Sequence, residues 1–570
     1  MKIPIRNSLI LIFVLFSLSV FGQNENFASP VKIPVFLSGN FCELRPNHFH
    51  GGIDIKIQQR IGLPIYAIEE GFIYRIVVSP TGYGKALYIE HPGGKSSVYA
   101  HLDRFSDEIE AYVRAEQYRR KSFAVDLTPE KNEIRVEREQ FIAYGGNSGS
   151  SGGPHLHFEI RDTETQDALN PLHFGFQVTD KVPPRFYSLI ATPVSENSHI
   201  GSSTARRIFP ATASGTNYSL GVNQEFEAFG KIGLAIRAND FYDGSHNICG
   251  IYTAELKVNG DVIFGYAFDR MPFSDTRYMN SHIDYELSLQ NGTRVHRLWR
   301  QPGNRLGIYH TQINRGLIDI EDGKLYDIEI TITDLPGNSA SLKFRIRGKD
   351  RNISRQIPGN AGFFTYDDEN LFRTPFMELF APVGAFYDDF YFTYQVTPQT
   401  PDIFSKAHRI HSESEPIHLP VKLRILTESL PEHLADKSFI GRIHNNGSKS
   451  YTGGKLINGW FEAEIRTFGT YAVMTDTIPP VINPLSIREK NALTESNRIR
   501  FTISDNLSGI KSYEGTINGE WVLFDYDAKN RLLTYEFDRE RFTTGKRHSL
   551  ILTVKDQVDN TAVYEATFWK

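Results

Sequence analysis

Apolar and polar residues alternate with a period of two along most of the chain, in short runs cut by Gly, Pro and Asn-Gly pairs. Runs of this kind predict strands. They include Val31 to Leu37, Ile53 to Ile55, Leu63 to Ala67, Gly71 to Ser79, Leu87 to His91, Ser97 to Leu102 and His155 to Ile160. Later runs are Ile328 to Thr333, Phe390 to Val396, Val421 to Ile425, Phe461 to Ile465 and Leu550 to Lys555. One segment, Ser106 to Lys121, is charged and helix-prone, with Ile109, Tyr112, Val113 and Tyr118 as sparse apolar positions. A short helical turn is expected at Leu430 to Ala435. The pattern therefore predicts a mainly β protein with many short antiparallel strands.

The chain is too long for a single core. Val182-Pro183-Pro184 and Ile478-Pro479-Pro480 open two units with the same punctuation. Gly250-Ile251 followed by Asn259-Gly260 matches Gly509-Ile510 followed by Asn518-Gly519 at identical spacing. Asp334, Asn338 and Ala340 match Asp556, Asn560 and Ala562 in the same way. This is an internal repeat whose first copy is enlarged by loops. Each Asn-Gly marks a hairpin, and each copy is expected to be an immunoglobulin-like or fibronectin-like sandwich. The Asp–Asn pairs are read as turns closed by Asx hydrogen bonds, since too few carboxylates are visible for a calcium cage. The expected division is a leader over 1–22, a β domain over 28–180 with an insertion at about 106–134, and sandwiches over 181–350, 351–475 and 476–570. The insertion reads as a surface decoration, or as a lid over a groove. His408, His411 and His418 fall in a stretch that reads as a solvated loop.

The first residues have the pattern of a secretory signal peptide: Lys2 and Arg6, then an apolar run from Ser8 to Phe21, with cleavage expected near Gly22. No Cys follows that point, so a lipid anchor is not expected, and no later run approaches the ~18 apolar residues of a membrane span. The expected destination is the periplasm, the cell envelope or the exterior. Net charge is -5, which argues against a general nucleic-acid binder. The two cysteines, Cys42 and Cys249, lie in different predicted domains and offer no Cys-based metal motif. Any metal must rely on His and carboxylates.

The candidate chemistry lies in two short stretches. In Gly153-Pro154-His155-Leu156-His157-Phe158-Glu159 the histidines are two apart and share a strand face. In the second stretch, His50-Gly51-Gly52-Ile53-Asp54 reads as a tight turn feeding a strand. Taken with Gly71, Gly82-x-Gly84, Tyr99-Ala100-His101-Leu102 and Gly145-Gly146-Asn147-Ser148-Gly149, these motifs occur in the order of the M23 (LytM or lysostaphin-like) metallopeptidases. The resemblance spans about residues 35 to 165. It implies His50, Asp54 and His157 as ligands of Zn2+, and His101 and His155 as a second pair that serves the water and the transition state. Which of these two is the base stays open. His48 lies outside the motif and reads as a surface residue. By the same resemblance, the chain is expected to be a secreted endopeptidase that cuts peptidoglycan stems or cross-bridges. The sandwiches are expected to seat it on the wall or on an envelope protein. The alternatives are a silent or latent scaffold that binds the wall or activates another hydrolase, and a zinc peptidase acting on proteins.

Overall fold

The computed structural model describes residues 26–221, 224–356, 362–428, 430–487, 491–493, 497–538 and 542–570. The expected leader lies outside the described residues. The chain is mostly strand, as its alternation predicts, and its strands build an N-terminal β domain and three β-sandwich units.

In the N-terminal domain the main sheet runs in the order Leu37–Gly39, Ile53–Lys56, His155–Asp162, Lys95–Phe105, Lys85–His91, Gly71–Val78, Arg135–Val136. The strand Phe141–Gly145 joins Lys95–Phe105 to Leu63–Tyr66. Alternation sorts the two faces. Leu156, Phe158 and Ile160 enter a core with Ile53, Ile55 and Tyr99, each such side chain contributing about 1.5–3 kcal/mol of burial. The intervening residues of the same strand, from His155 to Arg161, take the other face. Gly52 is required for the close approach of its strand, because a Cβ there would lie 2.2 Å from the Phe158 carbonyl oxygen. The strand expected over Val31 to Leu37 is confined to Leu37–Gly39. Pro30 and Pro34 supply no N–H for a ladder, so the preceding residues run as an irregular strap.

The insertion carries a helix, Asp107–Arg120, with acidic residues in its first turn and Arg119 and Arg120 in its last, charges that complement the helix dipole. It buries Ile109, Val113 and Gln117. Its Tyr118 ring meets Trp521 of the last sandwich edge-on at 5.3 Å. The insertion is thus a platform between two domains rather than a free decoration.

The first sandwich is built around the long strand Glu225–Asn239, which pairs with Arg185–Pro193 on one side and Ser339–Gly348 on the other. Its core is shared with the N-terminal domain. Phe41, Cys42, Leu44 and Phe49 pack into it, while Tyr242 and Cys249 pack into the core of the N-terminal domain. Both cysteines are buried free thiols, and burial raises the pKa of each.

The middle unit has two five-stranded sheets, and the last unit a four- and a five-stranded sheet. The run Phe390 to Val396 divides into Phe390–Phe392 and Tyr394–Thr397, which join different sheets. The histidines read as solvated belong to this packed unit. His408 is fully buried on the strand Ala407–Ile410 and bonds the Tyr394 hydroxyl at 2.7 Å. His411 stacks on Phe390, and His418 lies on Pro416–Leu426 and stacks on Tyr278. The apolar alternation around them is interrupted, which is why the sequence reads as a loop. In both repeat copies the Asn-Gly pair is a hairpin turn with positive φ at both residues, 51° and 94° at Asn259 and Gly260, 53° and 85° at Asn518 and Gly519. Among the described residues no helix is long and apolar enough to cross a membrane.

Candidate metal centre

Strand pairing brings the candidate residues together. His157 sits opposite Asp54 on one neighbour and Ala100 on the other. His50 reaches the same point from the turn before Ile53–Lys56. Three atoms converge there: His50 Nε2, Asp54 Oδ1 and His157 Nδ1. They are separated by 3.0 Å (His50 to Asp54), 2.9 Å (His50 to His157) and 3.0 Å (His157 to Asp54). All three residues are only 4–5% exposed.

The outward atoms fix what the inward atoms can be. His50 Nδ1–H donates to the Asn40 carbonyl at 2.8 Å. His157 Nε2–H donates to Glu159 Oε1 at 2.8 Å. With those protons placed, neutral rings turn two lone pairs toward each other and toward a carboxylate oxygen. Such a triangle calls for a cation, whether a proton or a metal ion. In the metal-free chain the proton takes the place: burial disfavours charge on His157, but its bonds to Asp54 and Glu159 prevail and raise its pKa to about 9. Burial would raise the Asp54 carboxyl, yet the neighbouring imidazoles of His50, His155 and His157 hold it well below the usual range. Two imidazole nitrogens and one carboxylate oxygen, oriented by outer hydrogen bonds, are a donor set that fits zinc.

His155 and His101 flank this triangle. His155 Nε2 lies 3.3 Å from Asp54 Oδ1, and its Nδ1–H donates to the Gly153 carbonyl at 2.8 Å. The His101 ring is 4.9 Å from that of His155 and 5.8 Å from that of His157. Its Nδ1–H donates to the Ser148 carbonyl at 2.9 Å. Regular alternation would send His101 into the core with Tyr99. Instead the strand bulges: Leu87 pairs with Tyr99 but Lys85 with Leu102, and His101 takes φ 58°. One extra residue turns the His101 ring onto the same face as His157. Burial, and then the neighbouring His157 and His155, lower its pKa to about 3, so this ring is neutral. The loop holding it in place is seated by two close glycines, since a Cβ on Gly149 would lie 2.3 Å from the Gly84 nitrogen.

Several residues of the site carry no role in the sequence reading. Glu159 is fully buried and accepts from His157, from the Tyr83 hydroxyl and, at 2.6 Å, from Arg161 Nε. Period-two alternation after His157 was the available signal for Glu159 and Arg161. Arg45, which donates to Asp54 Oδ2 at 2.8 Å, and Asn40 lie in the segment after the strand Leu37–Gly39, where no alternation gave such a signal. His48 is exposed, outside the cluster.

Comparison with known proteins bears on this arrangement. Residues 48–118 match the model of peptidase family M23. The N-terminal unit is an M23 peptidase domain. The match contains His50, Asp54 and His101, while His155 and His157 lie beyond its end. Residues 361–476 match a Zu5-like domain, in the middle β unit. The chain is 33% identical over 112 residues to a DD-carboxypeptidase/endopeptidase of Neisseria meningitidis, 20% of this chain and 20% of that one. It is 28% identical over 123 residues to an uncharacterized metalloprotease of Haemophilus influenzae, 22% and 20% of the two chains. The chain thus spans about a fifth of the length of these curated relatives. Among solved structures it is similar to a zinc-containing peptidase from Vibrio cholerae, with 27% identity, TM-score 0.18, and 24% and 36% of the chains covered.

Proposed function

We propose that this protein is a zinc-dependent endopeptidase that acts outside the cytoplasm on the peptide stems or cross-bridges of bacterial peptidoglycan. The observation that carries the proposal is the convergence of His50 Nε2, Asp54 Oδ1 and His157 Nδ1 within an M23 domain. These three atoms would hold the metal. When bound, zinc lowers the pKa of a water and polarises the scissile carbonyl. His101 and His155 each commit Nδ1–H to a backbone carbonyl. That leaves each Nε2 to take a proton from the attacking water or, once protonated, to donate to the tetrahedral oxygen. The wall-peptide substrate is supported by the activity named for the Neisseria meningitidis relative. Export is supported by the apolar run behind Lys2 and Arg6. The three β-sandwich units would position the M23 domain on the wall or on an envelope partner.

A specific contact favours a second reading, a latent form of the same enzyme. Lys529 Nζ, from the last sandwich, donates to the carbonyls of Asn147 and Ser151, at 3.1 Å for Ser151. Asp525 pairs with Lys85 at 3.8 Å. The last sandwich therefore grips the loop that holds His101. Mass spectrometry of peptides released from purified peptidoglycan separates the readings. Chelator-sensitive release by the wild type supports the active enzyme, and release only by Lys529→Ala supports latency. No release from either folded, zinc-loaded protein overturns both.

A further inference from the structure

The internal repeat carries a second kind of acidic cluster. In the first copy Asp180, Asp240 and Asp334 present oxygens within 4.8 Å of one another, and in the second copy Asp476, Asp505 and Asp556 do the same. The turn residues Asp334 and Asp556 are thus joined by two carboxylates from distant parts of the chain, which linear spacing does not reveal. The two clusters differ in how their charge is met. Asp505 Oδ2 accepts the amides of Leu507 and Gly509 at 3.0 and 2.8 Å, while its Oδ1 is buried without a partner among the described residues, and Asp476 accepts those of Ile478 and Ser508. Asp240 occupies the place of Asp505 but is only 1% exposed, and neither of its carboxylate oxygens has a hydrogen-bond partner among the described residues. Asp180 Oδ2 is also buried and unpartnered. The cause is loop length. The turn glycine comes four residues after Asp505, at Gly509, but ten after Asp240, at Gly250. The longer loop carries its amides away to other partners. Ser245 Oγ donates to the Leu37 carbonyl at 2.8 Å, and Gly250 exchanges two hydrogen bonds with Asn40, at 2.7 and 2.8 Å.

We propose that Asp180, Asp240 and Asp334 bind a hard divalent cation of the calcium class at the seam between the M23 domain and the first sandwich. Asp240 brings a buried carboxylate with no hydrogen-bond partner among the described residues up against Asp180 and Asp334, and leaving charge buried and unmatched is costly. An all-oxygen, triply anionic set selects calcium over zinc. Asp334 is already oriented for the role, since Oδ1 accepts the Gly337 and Asn338 amides at 2.9 and 2.7 Å. Asp180 ends the segment leaving the M23 domain, whereas Asp240 and Asp334 lie in the sandwich, so the ion joins the two domains. The site is separate from the histidine cluster and does not rest on the enzymatic reading.

The test uses the full-length protein, stripped of metal with EDTA, dialysed, reloaded with zinc and titrated with CaCl2 by calorimetry. A single calcium-binding event per chain is expected, weakened about tenfold or more in Asp240→Asn and Asp334→Asn and unchanged within about twofold in Asp505→Asn. Thermal unfolding of the wild type should move to higher temperature on calcium addition, a reading that does not depend on the folding of any variant. No calcium binding and no thermal shift would overturn the proposal, since the cluster would then be neutralised by protons alone. Loss of binding in Asp505→Asn but not in Asp240→Asn would overturn the assignment to the first copy.

Discussion

Glu159→Gln tests whether the buried carboxylate behind His157 tunes the metal site. Glu159 Oε1 accepts from His157 and Tyr83, and Oε2 accepts from Arg161. A glutamine has one accepting oxygen, so its NH2 must face either Arg161 or the His157–Tyr83 pair, donor against donor. Loss of an outer-shell partner of a ligating histidine weakens metal affinity about 10–100-fold. The change also leaves Arg161, 7% exposed, without its carboxylate. Breaking such a buried pair costs about 3–5 kcal/mol, partly offset because the guanidinium lies over the Phe273 ring at 4.2 Å. The two effects separate experimentally. Zinc affinity is measured by competition with a chromophoric chelator on protein that circular dichroism shows to be folded, and stability by thermal unfolding. The double variant Glu159→Gln/Arg161→Gln should regain part of the stability without regaining the affinity. A folded Glu159→Gln with wild-type zinc affinity would refute the reasoning.

Removing a ligand and removing a flanking base should give different phenotypes. His157→Ala should lose stoichiometric zinc, read by metal analysis, whereas His101→Ala should retain zinc and lose about 10²–10⁴-fold in turnover. The Asp240 carboxyl, close to Asp180, Asp334 and Tyr242, gives a pH signature in calcium-free buffer. Burial, and then the charges of Asp180 and Asp334, raise it to about 8. A carboxyl raised in the folded state binds its proton there after the unfolded chain has lost it. Its contribution to stability therefore declines as pH climbs from about 4 towards the folded value, with a slope of up to ~1.4 kcal/mol per unit. Asp240→Asn should flatten this decline in thermal midpoints; an unchanged slope would show that the group titrates normally.

Much of this protein was written in short-range pattern. Alternation marked the strands because a strand repeats every two residues, and the strongest runs, such as His155 to Ile160, lie where one face is fully buried. The repeat was legible because its Asn-Gly turns require positive φ, which few other residues accept. The five motif positions from His50 to His157 were legible only together, as an ordered set that resembles the M23 family, since each motif alone is a weak signal. Tertiary structure decided the rest. The bulge that turns His101 onto the groove face depends on pairing with two neighbouring strands, and no local signal encodes an unpaired residue. The segment from Asn40 to Arg45 shows no alternation, so the roles of Asn40, which bonds Gly250 of the first sandwich, and of Arg45, which bonds Asp54, are set only by tertiary packing. The three carboxylates at Asp180, Asp240 and Asp334 are distant along the chain, and only the closure of the sandwich on its own first strand places their charges together.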